Sequence, residues 1–239
     1  MSTALLQTTY FGPVQWYQKL HRYDCCYIEQ HDSYQKQTYR NRCVIATANG
    51  PQALTVPVEH EACNKQEASK TKDLRISDHN QWRRVHWNAL QSAYSESPFF
   101  DYYADDIHPF FEKKYTFLLD FNEAIRQTVC ALIDIHPNVV YSSEFIAHSS
   151  LSESVASQSK FSDGVEIIAQ SNHKVQSSKF KVQSLSDFRD VIHAKHPQHD
   201  DDFTPKPYWQ VFQHRYGFQP NLSVLDLLFC MGPESIFYL

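Results

Sequence analysis

At the start of the chain, the alternation of apolar and polar residues predicts a strand, a helix and a second strand. An apolar run covers residues 4–11, and Gly12-Pro13 then opens a helix, because proline suits the first helical position. The helix extends to about Tyr23 with an apolar face, and residues 25–28 form the second strand. This order predicts a βαβ unit with parallel strands and a right-handed crossover.

Residues 44–58 predict a β-hairpin that follows the βαβ unit. Its two apolar stretches flank Asn49-Gly50, a dipeptide that favours a type I′ turn. Farther on, apolar residues three and four apart predict helices beginning near Asp78, Pro98 and Asp120, the last with a capping box, and a third strand near residue 139. The elements indicate an α/β fold: a Rossmann-like parallel sheet begun by an N-terminal βαβ unit, with a β-hairpin and a helical section inserted.

The pattern breaks down between about residues 148 and 184, where serine is frequent and the sequence Lys-Val-Gln-Ser is repeated. Low-complexity sequence offers little surface to bury, so it predicts a mobile insertion. Order returns over residues 208–232, where Ser223 and Asp226 predict a capping box for an apolar helix. Because that helix lacks a polar face, we expect it to pack on the βαβ unit and close a single domain spanning 1–239.

Composition and charge narrow the class of partner. The chain has 239 residues and a formal net charge of −5. Broad nucleic-acid binding needs a basic face, so we expect no nucleic-acid partner. No apolar run reaches the length that crosses a bilayer, so we expect no membrane span. The chain starts without a basic leader, and its 6 cysteines include no Cys-x-x-Cys pair; both features predict a cytoplasmic protein.

Against this acidic background, three cations lie close together before the hairpin: Lys36, Arg40 and Arg42. With the neighbouring Asn41 they can hold a phosphate or a carboxylate, because the arginine fork suits bidentate binding. The alternative is a solvated turn with surface arginines. The second strand and the helix start at Gly12 both deliver residues to the carboxyl edge of the sheet, where ligands bind in open α/β sheets. The sequence therefore predicts an anionic small molecule as the partner.

Two residues are candidates for a general base at this edge, and a third is a candidate ligand contact. Asp32 ends the second strand, and His86 lies in the apolar face of the helix after Asp78. For His86 the alternative is a core histidine with satisfied nitrogens. Gln210 is predicted to lie near the basic segment, with a surface amide as the alternative.

Three histidines near residue 196 precede three aspartates and raise the question of a metal site. Pro197 interrupts any helix there, and the pattern offers no second shell of ligands, so we predict a solvated turn and assign no metal. The sequence identifies no cofactor.

Five motifs occur in order along the chain: Leu6-Gln-Thr-Thr-Tyr-Phe-Gly-Pro13, Tyr34-x-Lys36 with Arg40-Asn-Arg42, Leu54-Thr-Val-Pro-Val58, Trp82 with His86, and Phe218-x-Pro220-x-Leu-Ser-x-x-Asp226-Leu-Leu-Phe-x-x-Gly232. Together they resemble the WbqC-like protein family of bacteria, which is associated with O-antigen and other surface polysaccharide gene clusters. The resemblance implies a transferase acting on an activated sugar or related anionic intermediate, and aminoacyl (glycine) transfer has been suggested for the family. It also makes Gln7 a candidate ligand contact.

A second, shorter resemblance concerns residues 11–18, which are similar to the turn of HIGH-type nucleotidyltransferases. In that turn two histidines hold nucleotide phosphates, whereas this chain has Gln15 and Gln18, which carry no positive charge. Gln15 remains a candidate ligand contact. Two alternatives to the transferase therefore stay open: a divergent nucleotidyltransferase that uses a nucleoside triphosphate and Mg²⁺, and a non-catalytic binding module with an aromatic protein interface.

Overall fold

The structure is a computed structural model, and it describes residues 1–59, 69–147 and 184–239. The predicted mobile insertion at about 148–184 lies outside these residues, apart from Ser184. The strands are β1 (Ser2–Gln7), β2 (Cys25–Glu29), β3 (Arg42–Thr47), β4 (Gly50–Thr55), β5 (Val139–Tyr141) and β6 (Ser184–Asp187). The helices are α1 (Val14–Arg22), α2 (Trp82–Tyr94), α3 (Phe100–Ile107), α4 (Pro109–Glu112), α5 (Leu118–Leu132), α6 (Gln213–Tyr216) and α7 (Val224–Met231).

Four strands form one sheet in the order β5-β2-β1-β6, and every neighbouring pair is parallel. The α/β fold predicted from the sequence is confirmed. β1 is central, and Ala4, Leu5 and Leu6 are fully buried, as expected of a strand covered on both faces. The predicted strand was too long, since β1 ends at Gln7, where residues 8–11 begin the turn into α1.

The hairpin forms as a separate two-stranded antiparallel sheet of β3 and β4. The predicted type I′ turn is wrong. Such a turn needs positive φ at both central residues. Here Ala48 and Asn49 are the central pair, and the positive φ of 97° belongs to the next residue, Gly50. Gly50 is instead the fourth residue of the turn, a position where type I turns favour glycine, and it pairs with Thr47 in an unbroken register.

Helices α2 to α5 enclose an aromatic core beside the turn after β1. Tyr10 stacks on Phe121 of α5 at 5.7 Å between ring centroids, and Phe11 contacts Phe111 at 6.2 Å. The capping box predicted at Asp120 is wrong: α5 begins at Leu118, and Glu123 instead binds Arg126, Gln127 and Tyr141. No helix of the described residues has the length and apolar character needed to cross a membrane.

The C-terminal segment packs where α1 begins. Val14 donates its backbone N–H to the Leu222 carbonyl at 3.0 Å, and Ser223 donates to the Val44 carbonyl at 2.8 Å. Ser223 caps α7 as predicted, with its Oγ accepting from the Leu225 N–H. The predicted capping box is wrong for Asp226, because the Ser223 N–H that it would bind is taken by Val44. The single domain spanning 1–239 stays a prediction.

Candidate functional site

The strand order reverses between β1 and β6. From β1 the chain adds β2 and then β5 on one side, and β6 then pairs with the opposite edge of β1. In open α/β sheets, ligands bind at the carboxyl ends of the strands at such a switch point, because the connections leave in opposite directions and open a crevice. The side chains that follow β1 and β6 are therefore the first to consider.

Gln7, the last residue of β1, bridges to the segment that follows β6. Its Nε2 donates to the carbonyls of Ile192 at 2.7 Å and Arg189 at 3.3 Å. These two carbonyls fix the orientation of the amide, since the reversed amide would place oxygen against oxygen. Gln7 is 1% exposed, and its Oε1 has no hydrogen-bond partner among the described residues. The structure thus leaves a buried acceptor at the switch point.

Arg40 turns inward from the basic segment. It forms an ion pair with Asp32, which follows β2, and the other Asp32 oxygen accepts from the Thr71 hydroxyl. Arg40 is only 3% exposed, so the alternative of a surface arginine is wrong at this position. Its Nε has no hydrogen-bond partner within the described part of the chain. A buried, charged N–H without a partner is costly unless another group completes its hydrogen bonds.

Asn122 on α5 joins these two residues. Its Nδ2 donates to the Arg40 carbonyl at 2.8 Å and contacts Thr8 Oγ1, next to Gln7, at 3.2 Å. Its Oδ1 has no partner within residues 1–59, 69–147 and 184–239. Sequence reasoning missed Asn122, although a single amide between apolar residues on a buried helix face was a visible signal. We call Gln7, Asp32, Arg40 and Asn122 the switch-point cluster, and Gln7 Oε1, Arg40 Nε and Asn122 Oδ1 its open atoms.

His193 lies beside the same cluster. Burial lowers the pKa of His193, and its neighbour His196 and the positive charge of Arg40 lower it further. The preceding residue, Ile192, accepts the hydrogen bond from Gln7. The turn after β6 therefore contacts Gln7 through Ile192, and its His193 lies close enough to Arg40 for the two charges to interact.

The remaining buried charges at this edge are paired with one another. Glu29 is fully buried and accepts from the Ser142 hydroxyl and from the backbone N–H groups of His31 and Ile146, each at 2.8 Å. Arg189 pairs with Asp187 at 2.7 Å and lies 3.6 Å from Glu29. Sequence reasoning missed this pairing because β6 itself was not predicted.

The other members of the basic segment diverge from Arg40. Asn41 is buried, and its Nδ2 donates to the Val56 carbonyl at 2.8 Å. Arg42 is half-buried at the start of β3, where its Nε donates to Thr55 Oγ1 at 3.1 Å. Lys36 is exposed. The structure brings Arg40 and Asn41 inside, and it leaves Arg42 and Lys36 on the outer side of the segment.

At the start of α1 the backbone amides already have partners. The Val14 N–H donates to Leu222, and the Gln15 N–H donates to Asn221 Oδ1 at 3.0 Å. Gln15 Nε2 donates to Asp200 at 2.7 Å. Gly12 packs against Thr9, where a Cβ atom would overlap Oγ1 and lie 2.9 Å from Cβ. The visible roles of Gly12 and Gln15 are therefore packing and pairing, and their ligand contacts stay predictions.

His86 is buried on the inner face of α2, 4% exposed. Its Nδ1 lies 2.9 Å from the Tyr10 hydroxyl. Burial lowers the pKa of His86 to about 4. This geometry favours the core-histidine alternative, so Asp32 is the stronger candidate for a base.

Gln210 does not contact the basic segment in the described hydrogen bonds. It is 3% exposed, which makes the surface-amide alternative wrong, and its Nε2 donates to Asp226 at 2.8 Å and to the Gln219 carbonyl at 2.9 Å. Asp226 also accepts from the hydroxyls of Tyr94 at 2.9 Å and Tyr208 at 2.7 Å. We call Tyr94, Tyr208, Gln210 and Asp226 the C-terminal hub.

Asp200, the first aspartate of the histidine- and aspartate-rich stretch, binds the protein itself. It pairs at 2.8 Å with Lys19, whose ammonium group also lies 4.4 Å from the Phe188 ring. In the described ranges, no group of three or more His, Cys, Asp or Glu residues is arranged to hold a metal ion. These contacts hold the segment around Asp200 against α1, the helix that contains Lys19.

Comparisons with known proteins agree with the motifs. The model of the WbqC-like protein family matches residues 7–238. An uncharacterized protein of Mycobacterium tuberculosis, Rv1507c, is 27% identical over 207 residues, which cover 86% of this chain and 83% of the relative. No solved structure matches the chain.

Proposed function

The chain belongs to the WbqC-like protein family, and on this premise we propose that it is a cytoplasmic transferase of bacterial surface polysaccharide biosynthesis. Its substrate is an activated sugar or a related anionic intermediate of an O-antigen-like pathway, and aminoacyl (glycine) transfer is the candidate reaction. The switch-point cluster binds the anionic group of that substrate.

One observation carries this proposal: Arg40 is buried, and its Nε is an open atom. Its partner Asp32 holds the guanidinium in a fixed orientation, while one edge of the group keeps a donor for another acceptor. A phosphate or carboxylate oxygen supplies that acceptor, and a charge-assisted hydrogen bond to arginine is stronger than a neutral one.

Asp32 is the residue we assign as the general base. It lies beside the anion-binding donor and is 8% exposed, so an acceptor group that reaches Arg40 also comes close to its carboxylate. In aminoacyl transfer it would take the proton from the acceptor's hydroxyl or amine as that oxygen or nitrogen bonds to the acyl carbon, and the bond from this carbon to its carrier would break to release the carrier.

The divergent nucleotidyltransferase has less support than the transferase. The first two amides of α1, which such an enzyme would offer to nucleotide phosphates, bind Leu222 and Asn221. The side-chain amide of Gln15 donates to Asp200, and that of Gln18 donates to the Asp202 carbonyl.

Calorimetric titration with sugar nucleotides, and with nucleoside triphosphates in the presence and absence of Mg²⁺, tests the proposal. We expect sugar nucleotides to bind and the Arg40→Lys variant to bind them about tenfold more weakly, because lysine keeps the charge but lacks the Nε donor. Arg84→Lys, at an exposed position on α2, is the matched control and leaves the affinity unchanged. Binding of triphosphates with Mg²⁺ alone would overturn the transferase in favour of the nucleotidyltransferase.

A further inference from the structure

We infer that the anion bound by the switch-point cluster carries a sugar, one hydroxyl of which donates to Gln7 Oε1 or Asn122 Oδ1. This inference rests on the proposed function and names the chemical class of its substrate. It assigns Asn122 as a ligand contact.

The two open oxygens are acceptors whose identity is fixed by their neighbours. Gln7 Nε2 donates to two backbone carbonyls, and Asn122 Nδ2 donates to the Arg40 carbonyl. Reversing either amide would bring its oxygen against a carbonyl oxygen and lose these hydrogen bonds. A group that completes the cluster must therefore supply a hydrogen-bond donor to each oxygen that it reaches.

Both oxygens are buried. Gln7 and Asn122 are each 1% exposed. An unsatisfied buried polar atom costs about 1–3 kcal/mol, so native proteins fill such positions with an ordered water or a ligand. The position of these two oxygens at the switch point, where ligands bind in this class of fold, favours the ligand.

The third open atom has the opposite hydrogen-bonding character and belongs to Arg40, whose carbonyl accepts from Asn122 at 2.8 Å. Asn122 also contacts Thr8, the residue after Gln7, at 3.2 Å, so it links the residues that carry the other two open atoms. The cluster thus offers one charged donor beside two neutral acceptors. A sugar phosphate matches this set, since its phosphate accepts from Arg40 and its hydroxyls donate to the amide oxygens.

Two other ligand classes match this set of one charged donor and two neutral acceptors less well. An alkyl phosphate has no donor for the two acceptors and would leave them unsatisfied. An ammonium group could donate to both oxygens, but it would lie beside the positive charge of Arg40, and like charges in a buried site repel strongly.

Calorimetric titration of the unmodified chain with matched phosphates tests the inference without relying on a variant. The probes are glucose 1-phosphate, hexyl phosphate and 6-aminohexyl phosphate. We expect glucose 1-phosphate to bind at least about tenfold more tightly than hexyl phosphate, because satisfying a buried acceptor is worth roughly that factor. Equal affinities would overturn the inference and leave the proposed function intact. Tightest binding of the aminohexyl probe would also overturn it, and no binding of any phosphate would overturn the anion site itself.

A variant of Asn122 tests whether this residue causes the preference for glucose 1-phosphate over hexyl phosphate. Asn122→Ala is expected to reduce the affinity ratio of glucose 1-phosphate to hexyl phosphate towards one, with hexyl phosphate binding nearly unchanged. Asn88→Ala, at an exposed amide on α2, keeps the ratio of the unmodified chain. An unchanged ratio in a folded Asn122→Ala protein would overturn the assignment of Asn122. If this variant does not fold, the comparison of the three probes decides.

Discussion

The C-terminal hub and the switch-point cluster are both buried groups of polar side chains, and they differ in how completely their hydrogen bonds are made. In the hub, Asp226 accepts from Tyr94, Tyr208 and Gln210, and the Gln210 oxygen accepts from the Gln219 N–H at 2.8 Å. In the cluster, three residues keep open atoms. A complete network stabilises one conformation, whereas an incomplete one leaves hydrogen bonds for a ligand to make.

The two groups also differ in the surroundings of their carboxylates, Asp226 in the hub and Asp32 in the cluster. Asp226 is fully buried among neutral donors, and burial raises its pKa although the three hydrogen bonds oppose the change. Asp32 is paired with Arg40, and the pair lies at the edge of the sheet where a substrate can approach. We therefore assign stability to the hub and ligand binding to the cluster.

Ending the chain after Lys206 is expected to have the largest effect. The truncation removes α7, whose residues from Val224 to Cys230 are all buried, together with the hub residues Tyr208, Gln210 and Asp226. The exposed apolar surface of the remaining fragment should make it unfolded or insoluble, as judged by circular dichroism and gel filtration. Cooperative melting of residues 1–206 at the temperature of the full chain would contradict the hub's role and the single domain.

Replacing Asp226 with Ala tests the hub by a single change. It leaves three buried donors without their acceptor, so we expect a loss of about 4 kcal/mol in the free energy of unfolding. Urea denaturation measures this loss, and Asp101→Ala, at an exposed aspartate of α3, provides the control. A loss below about 1 kcal/mol would mean that the hub is not a structural network.

His86 predicts a pH dependence of stability that does not involve the cluster. Its pKa is about 4 in the folded protein against an ordinary value of 6.5, so the unfolded chain takes up the proton first as the pH falls. Stability from this group is complete above pH 6.5 and is lost between pH 6.5 and 4, by about 3 kcal/mol in total. Urea denaturation across this range should show the loss, and His86→Gln should remove that part of the slope. An identical slope in a folded variant would show that His86 does not titrate as described.

Arg42 is expected to give the smallest effect. It is half-buried on β3 and bonded to Thr55, so Arg42→Ala should change the free energy of unfolding by less than about 0.5 kcal/mol and weaken anion binding by no more than about threefold. Calorimetry and urea denaturation measure the two quantities on the same protein. A larger loss of affinity than Arg40→Lys produces would move the anion site from the cluster to the outer strand.

Local features of the fold were predictable from the sequence, because their signals lie within short stretches. The βαβ unit is formed by one continuous stretch of the chain, and so is the hairpin. Both units form in the structure. The turn type at Asn49-Gly50 was mistaken because the dipeptide favours one turn but the strand register, set by pairs such as Thr47 with Gly50, selects another.

Features that depend on distant residues were not predictable. β6 has only four residues, and its position beside β1 depends on pairing across most of the chain. Asp226 stands at the spacing of a capping box, and only the approach of Tyr94 from α2 reveals that it serves the hub. Arg40 was identified as a cation, but its burial follows from Asp32 and Asn122, which come from elements that precede and follow it.

A crystal structure of the protein grown with glucose 1-phosphate would show whether the switch-point cluster binds a sugar phosphate. We expect the phosphate within hydrogen-bonding distance of Arg40 Nε and a sugar hydroxyl on Gln7 Oε1 or Asn122 Oδ1, with the C-terminal hub unchanged. Ordered waters alone on the three open atoms, with the sugar phosphate bound elsewhere or absent at saturating concentration, would contradict it.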